Sequence, residues 1–323
     1  MKNIFKLEVK KQLLAAVLLL VPALAPAFEC PQKGSQEKAE DCPWAGAARL
    51  AAGRSAAETE KILLAHAPGL LQQLDADRSN QALLKLWGES INFDELANGE
   101  IVSPDILAFI AGRLGAAQPR GKLMHAGAEH TYGYLFSLLP TKFGFKRARW
   151  VKPDIEDGLG LPRGSAGPLA KGGGTLLSNI TCLTGGIALK DDPAAWALLK
   201  QACAACAPAI KKFSFAGVKR SRLTEEVKLA GGRKVVLRTD FVPFSGDFGG
   251  NSHLLIYSVY DSALKQAYLI SAFPVNSGFA QNALALSGLG EGKPVQTRYN
   301  AHVEGLTNAG KFKGTRSVVL LEK

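Results

Sequence analysis

The spacing of apolar residues divides the chain near residue 130. Between Trp44 and Gly115 hydrophobic positions recur every three to four residues, which predicts short helices over 45–53, 58–66, 70–74, 80–86 and 104–114. Ser103-Pro104 is the cleanest start among them, and Gly69, Gly88 and Gly99 punctuate the set. From Thr131 the text turns aromatic and β-branched. Residues 131–136 predict a strand, Pro140-Thr141-Lys142 a turn, and 143–151 a returning strand. That second arm interleaves Lys142, Lys146, Arg147, Arg149 and Lys152 with Phe143, Phe145 and Trp150. A strand that grips nucleic acid has this pattern, and so does an edge strand protected by lysines, which is the expected case.

Residues 157–174 are dense in Gly and Pro and predict a long loop, with Asp154, Glu156 and Asp157 just before it as potential contacts for a cation or substrate. The glycines match no phosphate-binding loop, so no nucleotide cofactor is expected. Residues 175–182 then predict a buried strand, Gly185-Gly186 a break, and Asp192-Pro193 the capped start of a helix over 193–211. Five strand-like runs follow at 234–241, 252–260, 267–273, 295–303 and 316–321, with connections too short for parallel crossovers. Helices first and strands later predict an α+β fold, a helical N-terminal part packed with a mainly antiparallel sheet in the C-terminal half. The expected division is a helical lobe over 28–128 and a mixed lobe over 129–323, forming one compact unit.

The first 27 residues stand apart from this pattern. Lys2, Lys6, Lys10 and Lys11 precede an apolar run from Leu13 to Leu20, Pro22 follows, and Ala25-Pro26-Ala27 ends the segment. This is the order of a secretory signal cleaved after Ala27. The run is shorter than the roughly 20 residues that cross a bilayer, so no permanent membrane anchor is expected. Glu29 before Cys30 also argues against a lipid anchor. The expected address is secreted or periplasmic. The segment holds four lysines and one glutamate, so its removal takes three from the net charge of +11 and leaves +8. A balance of this size favours an anionic polymer as partner, nucleic acid or a cell-wall component, although a solvated basic surface carries the same charge.

Outside the cytoplasm thiols pair, and five cysteines leave one over: Cys30, Cys42, Cys182, Cys203 and Cys206. A Cys30–Cys42 bridge would staple the mature N-terminus to the first helix. Cys203-x-x-Cys206 has redox spacing, but a reactive pair needs a helix N-terminus, and these fall about three turns into the expected helix. Leu199, Cys203, Cys206 and Ile210 form one apolar stripe there, which predicts structural cysteines facing a core, or one of them bridged to Cys182.

Three functions compete. The run from Gln296 to Glu304 alternates to give one polar face of Gln296, Arg298, Asn300, His302 and Glu304, which Arg238 and Asp240 join if their strand presents the same side. His253 and His302 as acid and base, Arg298 steadying developing charge, and Arg238 and Asp240 holding substrate suit phosphodiester cleavage. This leads to a hydrolase of an anionic polymer, nuclease- or phosphodiesterase-like. In the second function Cys182 is a nucleophile, His253 its base and Ser271 the orienter. That order of cysteine, histidine on a strand and orienter on the next resembles papain-like cysteine peptidases, which implies a peptidase or amidase. The third is a non-catalytic exported binding protein. Neither H-E-x-x-H nor paired C-x-x-C occurs, so no metal is expected.

Overall fold

The structure is a computed structural model that describes residues 32–33, 36–37, 43–92, 95–96, 99–116, 124–140, 145–167, 172–228, 234–286, 302–304 and 316–322. The N-terminal layer holds helices α1 (Pro43–Ala51), α2 (Ala56–His66), α3 (Pro68–Ser79), α4 (Gln81–Leu84) and α5 (Pro104–Leu114). Local chemistry sets their ends. The Ser55 hydroxyl accepts from Glu58 N–H while the Glu58 carboxylate accepts from Ser55 N–H, a reciprocal cap at the start of α2. α5 starts on Pro104 and stops at Gly115, whose φ of 74° is left-handed. Ile106, Leu107, Ile110, Ala111 and Leu114 fall on its buried face.

The expected hairpin over 131–151 is corrected to helix. Ala128–Gly133 forms α6 and Tyr134–Phe136 a 3-10 turn, all buried, while Ala148–Val151 forms the single turn α7. Residues 143 and 144 lie outside the described set. Part of the expected loop is also helical, as α8 (Asp154–Leu159). The expected strand over 175–182 is α9 (Leu176–Ala188), capped by Thr175, whose hydroxyl accepts from Ser178 N–H. Every residue of α9 is buried, so its text lacks a polar face and imitates a buried strand. Gly185 and Gly186 sit inside the helix because neighbours press on it. A Cβ at Gly185 would meet Leu199 at 2.7 Å, and one at Gly186 would meet the Phe215 ring at 2.5 Å. The expected helix over 193–211 divides into α10 (Pro193–Ala202), a 3-10 turn at Cys203–Ala205, and α11 (Pro208–Lys211), since Pro208 cannot continue the ladder.

The second half is antiparallel sheet. Strands β1 (Glu89–Asn92), β2 (Met124–Ala126), β3 (Ser221–Lys228), β4 (Lys234–Phe248), β5 (Asn251–Asp261), β6 (Gln266–Asn276), β7 (His302–Glu304) and β8 (Arg316–Glu322) form two sheets, ordered β6-β5-β4-β3-β8 and β7-β1-β2. The α+β class is therefore observed, with a four-stranded antiparallel core over 221–276. Of the expected strand over 295–303, only 302 and 303 lie among the described residues.

Alternation divides the larger sheet into two faces. Val242, Leu254, Ile256, Ala267, Leu269 and Ala272 join the core of the helical layer. Leu237, Phe241, Leu255, Val259, Phe273 and Val275 form a second core with Ala280 and Ala283 of α12 (Ser277–Leu286). The helical layer also grips the edge strand β6: Leu269 N–H donates to Leu86 O, and Gly88 N–H to Leu269 O, both at 2.8 Å. Among the described residues no helix is long and apolar enough to cross a membrane.

Candidate functional site

The helix-facing side of the sheet carries a polar belt built from matched registers. Arg222, Asp240 and Ile256 stand opposite one another on β3, β4 and β5, and the adjacent row on that face is Thr224, Arg238 and Ser258. Arg222 and Asp240 form a two-pronged pair, Nε to Oδ1 at 2.7 Å and Nη2 to Oδ2 at 2.9 Å, with Asp240 0 % exposed. Arg222 Nη2 also donates to Ala188 O at 2.7 Å, and Arg220 donates to Ile187 O and pairs with Asp191 at 2.7 Å. Two guanidiniums thus satisfy carbonyls at the C-terminal end of α9, where the helix dipole favours cations. This row is a structural clamp between helix and sheet.

The neighbouring row differs. Arg238 is half-buried, with its guanidinium 4.9 Å from the Tyr260 ring centroid. Among the described residues it makes no hydrogen bond or ion pair. Burial, and then the adjacent Arg222 cation, hold its pKa below the ordinary arginine value; Asp192 and Asp240 oppose this. The hydroxyls directly across on both neighbouring strands, Thr224 Oγ1 and Ser258 Oγ, are buried without partners, and Ser258 is 0 % exposed. Asp192, one of the two carboxylates that act on Arg238, has its Oδ1 accepting from Ala195 N–H as the cap of α10. The next row, Val236 and Tyr260, is half-buried like Arg238 itself. The row thus places a cation without a counter-charge beside two hydroxyls, each able to donate or accept, that have no partner.

No protein family, curated protein or solved structure matches the chain.

The other sequence candidates are dispersed. His253 lies on β5 between Pro243 and Val275, on the face that holds Leu255 and Val275, so the sheet separates it from Arg238 and Asp240. It is half-buried; desolvation holds its pKa below the ordinary histidine value, and Ser252 Oγ stands 2.8 Å from its Nδ1. His302 belongs to the other sheet, in register with Ile91 of β1. Arg298, Cys30 and Cys42 lie outside the described residues, as do residues 1–27. Asp154, Glu156 and Asp157 are engaged locally, with Asn251, Ala166 N–H and Arg163 respectively.

Cys182 is corrected from strand to the interior of α9. It is 3 % exposed and stands within bonding distance of both Cys203 and Cys206, with Cα–Cα separations of 5.5 and 6.8 Å. It faces the core shared with Leu254 and Ile256, across the sheet from His253, so the pairing required of a cysteine peptidase is absent.

The basic and aromatic residues of 145–151 pack inward rather than along an edge. Lys146 Nζ lies 4.6 Å and Arg149 Cζ 5.1 Å from the Tyr134 ring centroid, Arg149 lies 4.0 Å from the Phe273 ring, and the His130 ring meets Tyr134 edge-on. His130 Nδ1 is 3.3 Å from Glu129 Oε1. Glu129, His130, Lys146 and Arg147 are all buried, and Phe145 and Arg149 are partly buried. Their role is cation–aromatic packing between α6, α7 and β6.

Proposed function

We propose that this chain is exported and binds an anionic polymer outside the cytoplasm, with Arg238 as the residue that takes an oxyanion of that polymer. The observation that carries the reading is the Arg238 row. A guanidinium is removed from much of its water with neither carboxylate nor carbonyl in return, while hydroxyls on both sides lack acceptors. The desolvation of the guanidinium is a cost that an oxyanion accepting from Arg238 would offset. The +8 charge left after removal of the N-terminal segment supports attraction of such a polymer, and bonded cysteines support an oxidising compartment.

Hydrolysis of the polymer by His253 and His302, aided by Arg298, is the second reading. One observation favours it: His253 is half-buried, and desolvation holds its pKa below the ordinary histidine value, toward the neutral form that a proton acceptor needs. A fluorescent single-stranded oligonucleotide and inorganic polyphosphate serve as probes for both readings. Binding is expected to weaken with salt, and Arg238→Met is expected to lower affinity about tenfold and flatten the salt slope by about one unit. Unchanged affinity and slope in Arg238→Met overturn the site. Cleavage abolished by His253→Ala with binding intact promotes the hydrolase reading over simple binding.

A further inference from the structure

We propose that Cys182, Cys203 and Cys206 form an internal thiol–disulfide exchange site that alternates between two bridges and presents a thiol at the surface in only one of them. The three sulfurs lie within 4.8 Å of one another. Cys182, in the interior of α9, lies within bonding distance of both others, and both Cα–Cα separations suit a bridge. A sulfur forms one disulfide at a time. Whichever bridge exists, the third cysteine therefore stands beside it as a thiol, in the arrangement that exchange requires.

The two bridged forms differ in what they expose. Cys182 and Cys206 are each 3 % exposed, whereas Cys203 is partly exposed in the 3-10 turn after α10. With Cys182–Cys206 bonded, the spare thiol belongs to Cys203, the one partly exposed residue of the three. With Cys182–Cys203 bonded, the spare thiol is Cys206, buried and donating a hydrogen bond to Ser178 O at 3.5 Å. The step between them is balanced without an added oxidant. The Cys203 thiolate attacks the Cys182 sulfur, the Cys182–Cys203 bond forms as Cys182–Cys206 breaks, and Cys206 leaves as a thiolate that takes up the proton Cys203 gave to water. In the exposed form, Cys203 attacks an external disulfide, forms a mixed disulfide and releases one thiol. The partner class is a disulfide-bearing molecule, for which glutathione disulfide is the probe. The turn is held in place from both sides: Asn80 Nδ2 donates to Ala202 O at 3.1 Å, and Ala207 N–H donates to Asn179 Oδ1 at 2.8 Å.

The test uses the full oxidised chain, quenched in acid, alkylated with N-ethylmaleimide at low pH, digested without reduction and mapped by mass spectrometry. Both Cys182–Cys203 and Cys182–Cys206 peptides are expected. Capping the native protein first is expected to label Cys203 and shift the population toward Cys182–Cys206. Glutathione disulfide is expected to modify Cys203 of the native protein but neither Cys203 in Cys206→Ser nor Cys206 in Cys203→Ser, since each variant locks its remaining pair. A single bridge unaffected by capping overturns the proposal. So does a Cys203–Cys206 bridge with Cys182 free, a bridge from any of the three to Cys30 or Cys42, or three thiols that become reactive only after a chelator removes a metal.

Discussion

Arg222 and Arg238 sit on adjacent rows of one sheet face, yet their surroundings assign them opposite tasks. Arg222 is held by Asp240 and the end of α9, so removing one member leaves a buried charge. Arg222→Met is expected to cost about 3 kcal/mol in urea unfolding, and Arg222→Met with Asp240→Leu to recover most of it. Arg238 has no such partner, so Arg238→Met is expected to leave stability unchanged or slightly raised by the same measurement. Asp77 provides a pH signature at this scale. Its carboxylate accepts from Tyr132 and Thr175 hydroxyls at 2.5 Å, and burial pushes its pKa from 3.8 up to about 6. A raised carboxyl binds its proton more tightly folded than unfolded. Its contribution is full below pH 4 and is lost as pH rises through 6, a decline of on the order of 2–3 kcal/mol. Urea titrations at pH 4.5 and 7 are expected to show part of that decline in the native chain and to lose it in Asp77→Asn. The shared face of Arg238 and Asp240 was legible from strand alternation. Arg222 was not, because residues 221–228 hold four charged residues and only two apolar anchors, Leu223 and Val227, so no strand was expected there.

Helices were legible where one face stays in water. α2 and α5 have polar and apolar sides and sharp caps, and the spacing located both. α6 and α9 are buried on every side, so periodicity vanishes and Thr, Ile, Tyr and Phe suggest strands. The capping residue Thr175 was the available signal for α9, and the doubled glycine obscured it. That glycine pair now has a packing role, from which a test follows. Gly186→Ala gains helix propensity of about 1 kcal/mol but drives a methyl into the Phe215 ring. The expected result is a net loss of about 1–2 kcal/mol in thermal unfolding, relieved when Phe215→Ala is added. A stabilised Gly186→Ala would contradict the close approach.

Across the whole molecule the larger sheet acts as a partition. One face meets the helical layer and carries the arginine clamp, the Arg238 row and the core that includes Cys182; the other meets α12 and carries His253. The order of helices before strands made the fold class legible, but no sequence spacing reveals which side of a sheet two distant residues share. That is why Arg238 and Asp240 come together while His253 and Cys182 do not. On the helix-facing side, the Arg238 guanidinium is proposed to receive an oxyanion. The most direct measurement of that contact is the arginine Nε–Hε spectrum of the labelled protein during titration with inorganic polyphosphate, with the Arg238 signal assigned by its absence in Arg238→Met. Saturable movement of that signal, larger than that of the clamped Arg222, is expected. An Arg238 signal that stays fixed while the protein binds polyphosphate would place the anion elsewhere and rule out Arg238 as its site.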